Sequence, residues 1–192
     1  MERDEAIALL DEYVHNQNLV RHMLAVEAAM EDYAERLGEN PSEWALAGLL
    51  HDFDWEIHPT LEEHPQEGAP ILRERGVPEG IVTCILSHAE HTGVPRETTM
   101  QRALYACDEI TGLITAVALV RPSRSILDVK LKSIRKKWRD KRFAANVNRE
   151  DIAKGAEALG VELWDHIENV LHSMKSIAPE LGMTGESSPD TG

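Results

Sequence analysis

The sequence has only two cysteines and no long hydrophobic run. Cys84 and Cys107 each lie within an apolar, helix-like stretch, which indicates buried reduced thiols rather than a disulfide framework. The nearest candidate for a membrane span, residues 112–120, is too short for the roughly 18 apolar residues that such a helix needs. The N-terminal segment MERDEAIALLDEY lacks the apolar core of a signal peptide. We therefore expect a cytoplasmic protein without a membrane partner.

Positive charge is also scarce. The 192 residues include 20 Lys and Arg against 34 Asp and Glu, which gives a net charge of −14 with histidine neutral. Such a field disfavours nucleic acid and anionic lipid as partners. An anionic substrate must then be captured locally, by a metal ion or by a basic pocket.

Strand-like alternation and internal repeats are not evident, whereas helical signals run along the whole chain. Caps, glycines and prolines divide it into helical segments. The predicted fold is an all-α bundle of about eight or nine helices. The predicted ranges are 18–37, 41–52, 65–76, 78–90, 98–120, 125–138, 149–159 and 161–177.

Several polar side chains lie where a helical core is expected. His51 and Asp52 follow the apolar segment LAGLL, and an imidazole beside a carboxylate is a ready pair of metal ligands. His22 lies on the apolar face of its helix, where it could also be a hydrogen-bonded core histidine. Asp108 lies inside ALYACDEITGLITAVALV, where a carboxylate is costly unless it is paired or bound to a cation.

Taken together, His22, His51-Asp52 and Asp108 form the pattern H…HD…D, which resembles the HD superfamily of metal-dependent phosphohydrolases over about residues 15–120. The resemblance implies hydrolysis of a phosphomonoester or nucleotide by a metal-activated water. We expect residues 1–120 to form the metal-binding core, with His51 and Asp52 acting in catalysis. Glu56 is near these residues in sequence and could relay a proton or orient a ligand, so it is a third catalytic candidate. Residues 121–181 would be helices packed on the core in the same domain, and 182–192 a disordered tail.

Two further elements resemble the dinuclear members of this superfamily. His64-Pro65 followed by Gly68 is similar to their HP-x-x-G element, and His88 is similar to their second histidine. The resemblance implies that Asp52 bridges two metals and that His64 and His88 complete the second site, with His91 able to share that role. His64 could alternatively be a surface loop residue. The nitrogen and oxygen donors suit Fe, Mn, Zn, Co or Ni better than Mg.

The sequence departs from the HD-x-G-K form of many dinuclear members, because Phe53-Asp54-Trp55 follows Asp52 and the lysine is missing. Other cationic side chains must then neutralise the negative charge of the substrate phosphate. Arg121, Arg124 and Lys130 are the candidates, at the start of a cationic segment that could also be a solvated helix face. We expect a small phosphorylated substrate. The alternatives are a diiron oxygenase with the same ligands and a non-enzymatic module that binds metal or nucleotide.

Overall fold

Nine α-helices and one short 3₁₀ helix form the part of the chain that is described, residues 1–185 of a computed structural model. This confirms the predicted all-α fold and helix number, and no strand occurs among these residues. The 3₁₀ helix is Glu90–Thr92. The α-helices are α1 Arg3–Tyr13, α2 Gln17–Leu37, α3 Pro41–Leu50, α4 Gly68–Glu74, α5 Glu79–His88, α6 Thr99–Leu119, α7 Leu131–Trp138, α8 Arg149–Leu159 and α9 Leu163–Ser176.

Helix α2 has a side-chain cap at its start and a glycine at its end. The Asn16 side chain accepts a hydrogen bond from the Asn18 amide, which satisfies one of the free donors at the helix start. Gly38 ends the helix at φ 73°, a left-handed conformation that glycine adopts without strain. One face of the helix is buried, at Met23, Ala25, Val26, Glu27, Ala29, Met30, Tyr33 and Ala34.

Close backbone contacts hold the central helices together. Gly48 of α3 lies so near α2 that an added Cβ would be 2.9 Å from the Glu27 Cα. Gly155 of α8 lies equally close to α6, because its added Cβ would be 2.7 Å from the Ala106 Cα. Side chains at either glycine would therefore force helices apart. Helix α6 also packs against α2, α5 and α9, so it runs through the middle of the bundle.

Helix boundaries differ most from the sequence prediction at three places. The N-terminal acidic segment, to which no helix was assigned, forms α1, and Leu9 and Leu10 bury its apolar side. Helix α4 begins at Gly68 rather than at Pro65. Helix α7 begins at Leu131 rather than near Ser125, because Ser125 instead accepts a hydrogen bond from the Leu127 amide within a turn.

The C-terminal helices pack on the same core as the N-terminal ones. Buried apolar side chains form one contiguous cluster from Ala6 to Met183. The prediction of disorder from residue 182 is wrong at its start, because Met183 is buried and its carbonyl accepts a hydrogen bond from the Ile126 amide. The remainder of that predicted tail, 186–192, lies outside the described residues. Within the described part, no helix is long and apolar enough to cross a membrane.

Candidate metal centre

Four helices or their ends, and the turn segment before α4, bring together six side chains that can bind metal. His22 lies on α2, His51 and Asp52 follow α3, and Asp108 lies on α6. They form two groups, within each of which the candidate ligand atoms are all within 4.8 Å of one another. The first group is His22, His51 and Asp108, and the second is Asp52, His64 and His88.

Asp52 lies between the two groups. Its Oδ1 is 3.3 Å from His64 Nε2 and 3.6 Å from His88 Nε2. The same oxygen is 3.5 Å from His51 Nε2, and Oδ2 is 3.6 Å from His22 Nε2. The carboxylate thus faces ligands of both groups at once.

Backbone carbonyls fix the rings of two histidines. His51 Nδ1 donates to the Gly48 carbonyl at 2.8 Å, and His88 Nδ1 donates to the Ile85 carbonyl. In both cases the partner lies one helical turn before the histidine. Because Nδ1 carries the proton, Nε2 of each neutral ring presents its lone pair to the cluster.

Thr111 fixes the ring of His22. Its hydroxyl is 2.8 Å from the Asp108 carbonyl, to which it donates, and 3.1 Å from His22 Nδ1. The hydroxyl therefore accepts the Nδ1 proton of His22 and leaves Nε2 free for a metal. Asp108 Oδ1 lies 3.1 Å from that Nε2.

His64 is fixed by a carboxylate. Asp54 is buried, and its Oδ1 lies 2.7 Å from His64 Nδ1, which is the arrangement that orients metal-binding histidines and raises their basicity. Gly68 makes room for Asp54, because a Cβ there would lie 2.5 Å from the Asp54 Cγ. This contact explains why glycine follows His64 at that spacing. His64 is buried, so the alternative of a surface loop residue does not hold.

The cluster passes a chemical test for metal binding. His22 Nε2 lies 3.2 Å from His51 Nε2, and His64 Nε2 lies 3.3 Å from His88 Nε2. With the Nδ1 positions protonated, each pair brings two lone pairs face to face, which is unfavourable without a cation. Ligands about 2 Å from a shared metal are separated by roughly 3 to 3.4 Å. The donors therefore fit one metal per group.

The acidic residues of the cluster raise the pKa values of two histidines. Burial lowers the pKa of His51, but Asp52 and Asp108 outweigh it and raise the pKa to about 9. Burial likewise lowers the pKa of His64, and Asp52 and Asp54 outweigh it and raise the pKa to about 9. Protons and metal ions therefore compete for the same imidazoles.

The histidines in turn keep the carboxylates ionised. Burial raises the pKa of Asp52, but its histidine neighbours, chiefly His51, hold that pKa well below the usual range. Burial opposes ionisation at Asp108 too, and His22 and His51 outweigh it. At His88, burial and then the charge of His51 lower the pKa. Both carboxylates thus stay ionised at neutral pH and are available to a metal ion.

Two predicted site residues lie away from the ligand groups. The Glu56 carboxylate accepts hydrogen bonds from the His15 and Asn16 amides at 3.0 and 2.6 Å, so it holds the start of α2 instead of facing the cluster. Its predicted catalytic role is corrected for this reason. His91 Nε2 donates to the His64 carbonyl at 2.8 Å, so it supports a ligand and belongs to neither group.

The three predicted substrate-binding residues differ in their position relative to the metal centre. Arg124 is exposed and lines a cleft that His22 also lines. Arg121 is partly buried, and its Nε has no hydrogen-bond partner in the described part of the chain. Lys130 is exposed at the start of α7 and lines neither cleft beside the metal centre. Of the three, only Arg124 adjoins the site.

A cleft of about 680 Å³ opens onto both ligand groups. Its outer wall carries Tyr105, Glu90, Glu109 and Asp151, and the Tyr105 hydroxyl donates to Glu90 at 3.2 Å. Burial and the charge of Asp108 raise the pKa of Glu109 to about 7. A cavity of about 830 Å³ between α1, α2 and α3 contains none of the six ligands.

Thr111 and Arg21 are functional candidates that the sequence reasoning missed. Thr111 lies three residues after Asp108, so both share a helix face, and that spacing could have indicated a supporting role. Arg21 directly precedes His22 and lines the cleft that Arg124 and His22 also line. Nothing local in the sequence distinguishes it from a surface arginine.

Known proteins resemble the part of the chain that contains the cluster. The HD domain family model matches residues 19–113, about half of the chain. A ribonuclease Y of Syntrophobacter fumaroxidans is 32% identical over 97 residues, which cover 50% of this chain and 18% of the relative. A ribonuclease Y of Lawsonia intracellularis is 31% identical over 99 residues, which cover 51% and 19%.

The chain thus spans less than a fifth of the length of these two relatives. No solved structure matches it. The family match includes His22, His51, Asp52, His64, His88 and Asp108, the residues that form the cluster. With an all-helical fold and the H…HD…D pattern, the chain belongs to the HD superfamily.

Proposed function

We propose that this protein is a metal-dependent phosphohydrolase that acts on a phosphomonoester or nucleotide. One observation carries the proposal: all four histidines hold Nδ1 in a hydrogen bond and direct Nε2 at the two carboxylates. Such uniform orientation is expected of metal ligands and has no use in an ordinary core. The family match supports the same reading.

The chain's own residues would divide the work as follows. His22, His51 and Asp108 would hold one metal and His64 and His88 the other, with Asp52 facing both groups. Divalent metals in such a site lower the pKa of a bound water and neutralise charge on the phosphoryl oxygens. The nitrogen-rich donor set favours Fe, Mn, Zn, Co or Ni over Mg. Asp54 and Thr111 orient the imidazoles, and Glu56 positions the start of α2.

A phosphodiester is the second candidate substrate, because the relatives described above are named ribonuclease Y. The match covers under a fifth of those relatives, so their substrate need not be shared. The net charge of −14 argues against a long polyanion as substrate. The monoester is therefore preferred, and short RNA belongs in the substrate panel.

The activity test uses protein loaded with Mn, Co, Fe or Zn and a panel of aryl phosphates, nucleotides and short RNA. We expect phosphate release from monoesters, and its loss in Asp52→Ala. Turnover of RNA alone would favour the phosphodiester. Oxygen uptake that depends on substrate, in the iron form, would favour the diiron oxygenase. Tight nucleotide binding without any turnover would favour the non-enzymatic module.

Metal content tests the two-group arrangement independently of turnover. His22→Ala should lose the metal held with His51 and Asp108, and His64→Ala should lose only the other metal. His172→Ala, an exposed histidine on α9, is the control and should keep both metals. Elemental analysis gives the metal-to-protein ratios. Wild type that takes up no transition metal after reconstitution would contradict the proposal.

A further inference from the structure

A second cleft adjoins the metal centre at His22. Its volume is about 600 Å³, and it shares His22 and Gly112 with the first cleft. Both clefts therefore border the same candidate metal ligand, His22. A substrate whose phosphate lies at the metals can extend into either space.

Two arginines line the second cleft. Arg21 precedes the ligand His22 on α2, and its guanidinium lies against Gly182, where an added Cβ would be 3.3 Å from Arg21 Nη2. Arg124 comes from the turn after α6. Neither arginine belongs to any ion pair found within residues 1–185. Both guanidinium groups therefore retain donors for a ligand.

The floor between these arginines is apolar and fixed. Leu181 and Met183 are buried, and the Met183 carbonyl accepts a hydrogen bond from Ile126, two residues after Arg124. Leu119 of α6 contributes a partly exposed apolar side chain to the same cleft. The cleft thus combines an apolar surface with two cations, which suits the body of an organic molecule that ends in an anion.

The first cleft has the opposite charge. Glu90, Glu109 and Asp151 line it beyond the ligands, and no arginine or lysine does so among the described residues. An anionic extension of the substrate would be repelled there and attracted to the second cleft. The metal centre therefore lies between an acidic space and a basic one.

We propose that Arg21 and Arg124 bind a second anionic group of the substrate, which is joined to the scissile phosphate by an apolar or ring-like body. The inference rests on the proposed function and names its substrate class: a phosphoester that carries another phosphate or carboxylate. The arginines are binding residues, and the metals are held without them. Their loss should weaken substrate binding and leave metal content unchanged.

The test measures binding with probes that cannot be hydrolysed, so it does not depend on turnover. Alkylphosphonates are compared with ω-carboxylated alkylphosphonates of the same chain length, over a series of lengths, by calorimetry on metal-loaded protein. At the best length, wild type should bind the carboxylated probe about tenfold more tightly, a difference of roughly 1.4 kcal/mol. In the double variant Arg21→Gln/Arg124→Gln the two probes should bind equally.

The control is Arg73→Gln, the same substitution at an exposed arginine that pairs with Glu79 and lines neither cleft. It should keep the wild-type preference. Equal binding of both probes to wild type at every length would overturn the subsite and leave the proposed function intact. Failure of metal-loaded protein to bind any phosphonate would instead contradict the proposed function, and the subsite with it.

Discussion

Each metal-facing histidine depends on a partner that is not itself a ligand. Gly48 and Ile85 contribute carbonyls, Asp54 a carboxylate and Thr111 a hydroxyl. Such partners keep the proton on Nδ1 and stop the ring from rotating, so the ligand set is preorganised before a metal arrives. The hydroxyl is the partner most simply removed, because valine has nearly its shape.

Thr111→Val should weaken the metal held by His22 and leave the other one in place. The variant removes the acceptor of the His22 Nδ1 proton and keeps the packing of α6. Loss of such a partner typically lowers metal affinity about 10- to 100-fold. Cobalt titration, followed by its visible absorption, measures the two affinities separately.

The control is Thr83→Val, on the half-buried face of α5, which makes no contact with a ligand in the hydrogen bonds found for residues 1–185. It should bind both metals as wild type does. A similar loss of both metals in Thr111→Val would point to general damage of the bundle, and its circular dichroism and Tm would show that. Unchanged affinity would remove Thr111 from the site.

At the scale of helices, the site depends on how closely α3 approaches α2. Gly48 permits the approach, and His51 follows on the next turn and meets His22 of α2. The added Cβ of an alanine at 48 would meet backbone atoms of Val26 and Glu27, which cannot rotate away. Fold and ligand geometry are therefore coupled at this one contact.

Gly48→Ala should destabilise the protein and weaken metal binding together. Overpacking of this kind costs about 1–3 kcal/mol. Gly80→Ala is the control, because its Cβ would have only Glu43 Oε1 nearby, at 3.9 Å, and alanine favours the helix. Urea unfolding and metal titration measure both effects. A Gly48→Ala protein as stable as Gly80→Ala would show that α2 and α3 can separate freely.

Sequence reasoning predicts the parts of this site that local pattern controls. The H…HD…D order and the HP-x-x-G element are short local patterns, so the six candidate ligands could be named in advance. Glu56 shows where that reasoning stops. Its partners, His15 and Asn16, are about forty residues away, and only the packed fold brings them together.

The same limit applies to Arg21 and to the turn before α7. Arg21 becomes part of a cleft because residues 181–185 return to α2 from the far end of the chain. The sequence predicts that residues 125–130 begin a helix, yet the Ile126 amide donates to the Met183 carbonyl and Ile126 is buried, which holds the segment in a turn. In both cases the outcome depends on contacts between residues that are far apart in the sequence.

For the whole molecule, folding stability and metal affinity both depend on the protonation of His51 and His64. His51 and His64 have pKa values of about 9 in the folded state against 6.5 for an ordinary histidine. A raised folded-state pKa gives metal-free protein extra stability below pH 6.5 that is lost as pH rises towards 9. The stabilisation that a bound metal contributes should instead increase as pH rises, because a metal binds the neutral imidazole. Asp52 and Asp108 have lowered pKa values and stay ionised throughout this range.

The difference in Tm between metal-loaded and chelator-treated protein should therefore widen as pH rises from 6.5 to 9. At a free metal concentration one hundred times Kd, the stabilisation is about 2.7 kcal/mol. For a domain of this size that amounts to a Tm shift of roughly 5–10 °C. Thermal unfolding at fixed free metal concentration, held by a metal buffer at each pH, measures the difference.

His172→Ala should reproduce the widening, and Asp108→Ala should reduce it, because the first group loses its carboxylate. A difference that stays constant or narrows with rising pH would mean that these imidazoles do not exchange protons for metal.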